Sequence, residues 1–241
     1  MRAELRSSLV GRRARNPGWW IASPSTTFPL TERRCVSARI ALVDYKAGNL
    51  TSVRKALAAV GATFFTPATA GELADAAGII VPGVGHFAAT ANLDAPWIAA
   101  IQAHVQRRQP LLGICVGLQW LYEGSEESPE LRGLGVLADR CRRLHGGTAD
   151  GQVLKVPHVG WNSLERTAAA SILDGVAEGT QVYFTHSYAA PVTSDTAAAT
   201  THGERFTSVV QRGHIAGVQF HPEKSGDAGL RILSNFVRMV A

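Results

Sequence analysis

The residues best suited to covalent chemistry are Gly113-Ile114-Cys115-Val116-Gly117. They follow the apolar run Leu111–Ile114 and precede a helical pattern from about Val116 to Tyr122. A G-x-C-x-G stretch between a buried strand and a helix has the logic of a nucleophile elbow. The glycines remove side chains where strand and helix converge, and the sharp turn lifts the central side chain to the sheet edge. A helix starting at Val116 points its positive end at the sulfur, a field that favours the reactive thiolate form. The backbone N–H of Val116 can also face an oxyanion. The alternative for Cys115 is a buried structural cysteine, since free cysteine is among the most buried residue types. That alternative is preferred for Cys35 and Cys141, which lack a glycine frame.

A thiol nucleophile needs a base, usually held by a third group. The histidines are His86, His104, His145, His158, His186, His202, His214 and His221. His221 stands apart because it ends the apolar run Ile215–Phe220 and precedes Pro222-Glu223. In extended chain the i, i+2 spacing points His221 and Glu223 to one side, so the carboxylate can fix the imidazole tautomer. H-x-E alone is weak; with a Cys elbow and a strand end it suggests a triad. No HExxH or clustered Cys/His spacing occurs, so no metal and no cofactor are expected.

These groups need a scaffold, and the chain alternates strand and helix signals. Arg39–Asp44, 62–66, Gly78–Val81 and Leu111–Ile114 are short apolar runs. Leu50, Val53, Leu57 and Val60 have helical spacing, closed by Gly61. Pro96 opens a helix over 96–107, and residues 227–240 form a last amphipathic helix. The expected fold is α/β and three-layered: a mostly parallel central sheet with helices on both faces. Additional antiparallel strands are expected within 134–164 and 181–220. In such sheets ligands bind beyond the carboxyl ends of the strands. Pro82–Gly85 and Gly113–Gly117 lie at two of those ends. Residues 191–202 read as a surface loop or an edge hairpin, Trp161 taken alone as a core aromatic, and Lys224 as a solvated charge.

The net charge of +5 is not a nucleic-acid footprint. Residues 1–39 hold eight Arg and two Glu, while 40–241 hold sixteen Lys/Arg and seventeen Asp/Glu, so the second part is near neutral. With 46% hydrophobic and 18% charged residues, the chain fits an ordinary globular protein, and no apolar run approaches the roughly 20 residues of a membrane span. Three cysteines without a CxxC pair point to a reducing, cytoplasmic compartment rather than a disulfide framework. Residues 1–38 are Arg-, Ser- and Pro-rich and aperiodic. A transit peptide or basic arm is one reading. The preferred one is a disordered or non-native extension, with 39–241 as the folded domain. Met1 and Met239 are the only methionines, so a shorter product would need an alternative start codon, for which Val36 is suitably placed.

PGVG at 82–85, GICVGLQ at 113–119 and HPEKS at 221–225 resemble the three signature stretches of class I, triad-type glutamine amidotransferases. VDYKAGNLTSV at 43–53, KVPHVGWN at 155–162 and YFTHSY at 183–188 are similar to the glutaminase subunits of imidazole glycerol phosphate synthase, of histidine biosynthesis. The resemblance runs from about residue 40 to the C-terminus and implies a flavodoxin-like fold of the class I type. It implies that Cys115 attacks the glutamine amide carbon and that His221, oriented by Glu223, protonates departing ammonia and then activates water. The oxyanion hole would be Val116 with the Gly83-Val84-Gly85 turn, which in such subunits is thought to reorient first. Gly85, Gln119, His186, Ser187 and Tyr188 match glutamine-binding positions. Asn49, Trp161, Tyr183 and Lys224 match positions at the contact with a (β/α)8 barrel cyclase, expected as a separate chain in a heterodimer that receives the ammonia. The alternatives are a subunit serving purine, anthranilate or pyridoxal phosphate synthesis, a partner-independent Cys hydrolase, or a non-catalytic regulator. KVPHVGWN argues against the first, and the intact Cys115, His221 and Glu223 against the last.

Overall fold

Four short runs, Ile40–Leu42, Gly78–Val81, Leu111–Ile114 and Ile215–Val218, are buried at every position. Successive strand side chains point to opposite faces, so both faces of the sheet they form are covered. The computed structural model describes residues 38–47, 50–149 and 152–241. The expectations for the N-terminal segment and Cys35 fall outside these residues.

The described residues form an eight-stranded sheet. Its strands in chain order are β1 (Ile40–Leu42), β2 (Phe64–Phe65), β3 (Gly78–Val81), β4 (Leu111–Ile114), β5 (Glu165–Arg166), β6 (Thr196–His202), β7 (Glu204–Arg212) and β8 (Ile215–Val218). The spatial order is β5-β6-β7-β8-β4-β3-β1-β2. From β8 to β2 all neighbours are parallel; β7, β6 and β5 add antiparallel pairs on the other side. The α/β class with a mixed sheet is therefore as expected.

Four helices complete the layers: α1 (Leu50–Ala59), α2 (Ala95–Gln106), α3 (Val116–Leu121) and α4 (Gly226–Val240). Helix α2 starts one residue before Pro96, because Asp94 caps it by accepting from the Trp97 amide at 3.4 Å. Helix α1 packs on α4, and α3 on β4 and β8. No helix among the described residues is long and apolar enough to cross a membrane.

One stretch departs from expectation. Residues 191–195 form the expected surface loop and 196–202 a hairpin strand with β7, but Thr196–Thr200 are buried and the two residues of β5 pair with Ala198 and Ala199 on the outer side, so the strand is not a bare edge. Alanine and threonine dominate this strand, so its apolar signal is weak although its first five residues are buried.

Candidate active site

Strands β3, β4 and β8 are adjacent and parallel, with Val81 opposite Gly113 and Val218 opposite Ile114. Their carboxyl ends stop at one level, so Pro82–Gly85, Cys115 and Gln219–Glu223 leave from a single edge. This is where open α/β sheets hold ligands.

Cys115 sits at the cap of α3 with φ 53° and ψ −108°, in the left-handed half of backbone space. Such a conformation costs a non-glycine residue on the order of 1–3 kcal/mol and persists only where the surroundings impose it. Here its amide is tied to the Val218 carbonyl at 2.8 Å. The flanking glycines permit the close approach. A Cβ on Gly117 would run into the Val81 carbonyl, and one on Gly113 would lie 2.6 Å from the Gly117 carbonyl oxygen. The elbow read from the sequence is present, and Cys115 is 2% exposed.

His221 is equally buried and donates from Nδ1 to Glu223 Oε1 at 2.8 Å. Glu223 does not lie in extended chain as its spacing suggested: Pro222–Lys224 is a single 3-10 turn, and that turn brings the carboxylate back to the ring. The His221 backbone is anchored by donation to the Tyr183 carbonyl at 2.9 Å. Nε2 is buried with no hydrogen-bond partner among the described residues. Burial alone would lower the imidazole pKa, but the neighbouring Cys115 sulfur and the Glu223 carboxylate outweigh it and hold the pKa above the usual histidine value. A thiol, an imidazole and a carboxylate thus share one buried site.

In the adjacent turn Gly83 is buried, Val84 half-buried and Gly85 exposed with φ 98°, a conformation glycine adopts without strain. A side chain on Gly83 would collide with the Tyr45 hydroxyl. Burial first, and then the Cys115 sulfur, keep that Tyr45 phenol protonated. The pocket between Val53, Pro82–Val84, His221 and Glu223 encloses about 10 Å³, room for one water at most.

The expected glutamine-binding residues fall into two groups. Gln119 is buried, and its Nε2 donates to the Tyr188 carbonyl at 2.8 Å and to Gln219 Oε1 at 3.2 Å, leaving its own Oε1 without a partner among the described residues. Ser187 and Tyr188 are half-buried beside it in the chain fold. His186 is committed inward: its Nδ1 donates to the same Tyr188 carbonyl at 2.9 Å. A carbonyl only accepts, so His186 Nε2 must accept from His158 Nδ1 at 3.1 Å, and His158 Nε2 from Asn162 at 3.3 Å. Burial drops the pKa of His158 to about 4 and of His186 to about 3, so both rings are neutral. His158 and Gln219 were not singled out from the sequence. The signal was there for Gln219: an amide inside the apolar run Ile215–Phe220, at a position that proves fully buried.

His158–Ser163 pairs antiparallel with Gln181–His186, setting Trp161 opposite Tyr183. Val159 and Trp161 alternate onto the outer face at 56% and 57% exposure, correcting the core reading of Trp161. The Trp161 ring meets Tyr183 edge-on at 6.0 Å, and exposed Lys224 lies 5.8 Å over the Tyr183 ring. These three residues form a continuous surface next to His221. Asn49 lies outside the described residues. Cys141 is fully buried, and burial raises its thiol pKa, as befits a structural cysteine.

The family model for class-I glutamine amidotransferases matches residues 41–240. Solved structures agree on the fold. One described as a glutamine amidotransferase superposes with a TM-score of 0.65 at 20% identity, covering 83% of this chain and 98% of that one. PurLQS from Thermotoga maritima gives 0.63 at 16% identity, covering 84% and 99%. Imidazole glycerol phosphate synthase subunit HisH of Desulfovibrio desulfuricans is 46% identical over 202 residues, which is 82% of this chain and 93% of that protein. The subunit of the same name from Moorella thermoacetica is 43% identical over 205 residues, 83% and 95% of the two chains. The chain belongs to the class-I glutamine amidotransferase family and, within it, to the HisH subunits of imidazole glycerol phosphate synthase.

Proposed function

We propose that the chain hydrolyses glutamine to glutamate and ammonia through Cys115, His221 and Glu223, and passes the ammonia to a (β/α)8 cyclase subunit for imidazole glycerol phosphate synthesis. One observation carries this reading. An imidazole locked by Glu223 through Nδ1 keeps its buried Nε2 unpartnered beside the only thiol held on a glycine-framed elbow among the described residues.

In the proposed reaction Cys115 Sγ attacks the side-chain carbonyl carbon of glutamine. His221 takes the thiol proton and returns it to the departing nitrogen, releasing ammonia and leaving a glutamyl thioester. It then removes a proton from water, whose oxygen attacks the thioester, and returns that proton to sulfur as glutamate leaves. Negative charge on the tetrahedral oxygen needs donors, and loss of one typically costs about 10²–10³ in rate. The N–H of Val116 and the Gly83–Gly85 turn are the groups proposed to supply them, with glycine allowing the turn to rotate. Gln119 Oε1, buried and without a partner among the described residues, would accept from the substrate's ammonium. Ser187 and Tyr188 would line the site, whereas His186 would act from behind Tyr188 rather than touch substrate.

The exposed Trp161, Tyr183 and Lys224 are proposed to contact the cyclase. They border the strand whose Tyr183 carbonyl anchors His221, so docking there reaches the base directly. Glutaminase activity is to be measured with and without a barrel cyclase and its ribonucleotide ligand. Low basal turnover and strong stimulation are expected. Equal rates in all conditions would favour the partner-independent hydrolase instead, and a Cys115→Ala chain that still hydrolysed glutamine would sink the mechanism.

A further inference from the structure

A second amide, outside the proposed triad, is aimed at the sulfur. Gln219 is fully buried, and its Nε2 lies 3.7 Å from Cys115 Sγ. An amide can often be turned end for end, but here the orientation is forced. The Tyr188 carbonyl accepts only, so the group Gln119 presents to it at 2.8 Å must be Nε2. That same Nε2 also donates to Gln219 at 3.2 Å, so the atom Gln219 presents there must be Oε1. Its NH2 is then left facing Sγ. Backbone bonds fix the frame: the Gln219 amide donates to Ser208 and the Cys115 amide to Val218, each at 2.8 Å.

We propose that Gln219 is a positioning residue for the nucleophile, donating an N–H···S hydrogen bond that holds Sγ at His221 and stabilises negative charge on sulfur. This rests on the reading of Cys115 as nucleophile. Sulfur carries that charge before it attacks and again when the thioester breaks. A donor that strengthens on ionisation favours both moments, and hydrogen bonds to charged groups are stronger than neutral ones. The Gln119 amide connects this donor to the substrate side, because one Nε2 bridges the Tyr188 carbonyl and Gln219.

The test uses the full chain bound to its cyclase. Gln219→Met keeps the length without a donor, Gln219→Asn keeps the amide but falls short of the sulfur, and Gln219→Glu replaces the donor by an acceptor. Iodoacetamide alkylation of Cys115, located by mass spectrometry, is followed against pH beside steady-state kinetics and a thermal melt. For the Met and Asn variants the midpoint of the alkylation profile should move up by about one pH unit, with a further rise for Glu. The kcat should fall about ten-fold with a smaller change in KM. Asn serves where Met fails to fold. A folded Met or Asn variant with the wild-type profile overturns the Gln219 proposal and leaves the triad standing. A chain in which Cys115 resists alkylation, or in which Cys115→Ala stays active, overturns the glutaminase reading itself.

Discussion

The two halves of the sheet hold their residues by different forces. On the parallel side, Ile79, Ile80, Val81, Leu111 and Leu112 are buried and apolar, and the Cys115 elbow is fixed by backbone contact: Gly113 against Gly117, Gly117 against Val81. On the antiparallel side the interior is rich in hydroxyls. Thr207 joins the Thr196 hydroxyl and the Pro191 carbonyl, both at 2.7 Å, and Thr200 donates to the Ser163 carbonyl at 2.8 Å. The histidine chain that ends on Tyr188 flanks this side. The first half is thus sensitive to volume, and the second to charge and to unpaired donors.

The strongest test of that contrast is Gly117→Ala. One methyl group has no space beside the Val81 carbonyl, so a loss on the order of 3 kcal/mol is expected in urea unfolding, with glutaminase activity falling further than stability. A tolerated Gly117→Ala would mean that the elbow is not held by close packing.

Acidification should act next most strongly. Burial lowers His104 and His158 to about 4 and His186 to about 3, against an ordinary value of 6.5. The unfolded chain therefore binds more protons than the folded one below about pH 6.5. Their stabilising effect is complete above that value and is lost as pH falls toward 4. His221 has the opposite sign: its raised pKa favours the folded state at low pH and is lost only as pH rises through that value, so it does not offset the acid limb. Melting temperature should fall between pH 6.5 and 4. His158→Phe, which keeps the stack on Phe184, should show a shallower fall. An unchanged slope would remove the histidine chain from the account.

Thr207→Val should cost about 1–3 kcal/mol, since it keeps the shape but leaves the Thr196 hydroxyl and the Pro191 carbonyl short of a partner. A chemical-denaturation midpoint unchanged by Thr207→Val would erase the difference between the halves. The smallest stability effect belongs to the outer face. Trp161→Ala should change folding by less than about 0.5 kcal/mol while weakening the proposed binding to, and stimulation by, a barrel cyclase, read by titration of that cyclase.

The parallel half was largely legible before folding. Apolar runs of four residues, such as Gly78–Val81 and Leu111–Ile114, coincide with strands because complete burial on two faces demands continuous hydrophobicity. Thr196–His202 was harder, because alanine and threonine carry little hydrophobic signal and their burial depends on partners far along the chain. Trp161, read alone, was misplaced in the core for the complementary reason: an aromatic side chain left exposed looks, in sequence, like one that packs, whereas the motif match had put it at a contact.

The elbow around Cys115, the pairing of His221 with Glu223 and the family could be read before folding, since each rests on neighbouring residues or on contiguous motifs. Tertiary structure alone decided that Gln219 presents nitrogen to the sulfur, that His186 turns inward and that Glu223 reaches its histidine from a 3-10 turn. The first depends on a partner 104 positions away, which only packing brings within bonding distance; His186 is turned by its partner His158, 28 positions away, and Glu223 by a local turn whose course follows from the packed chain around it.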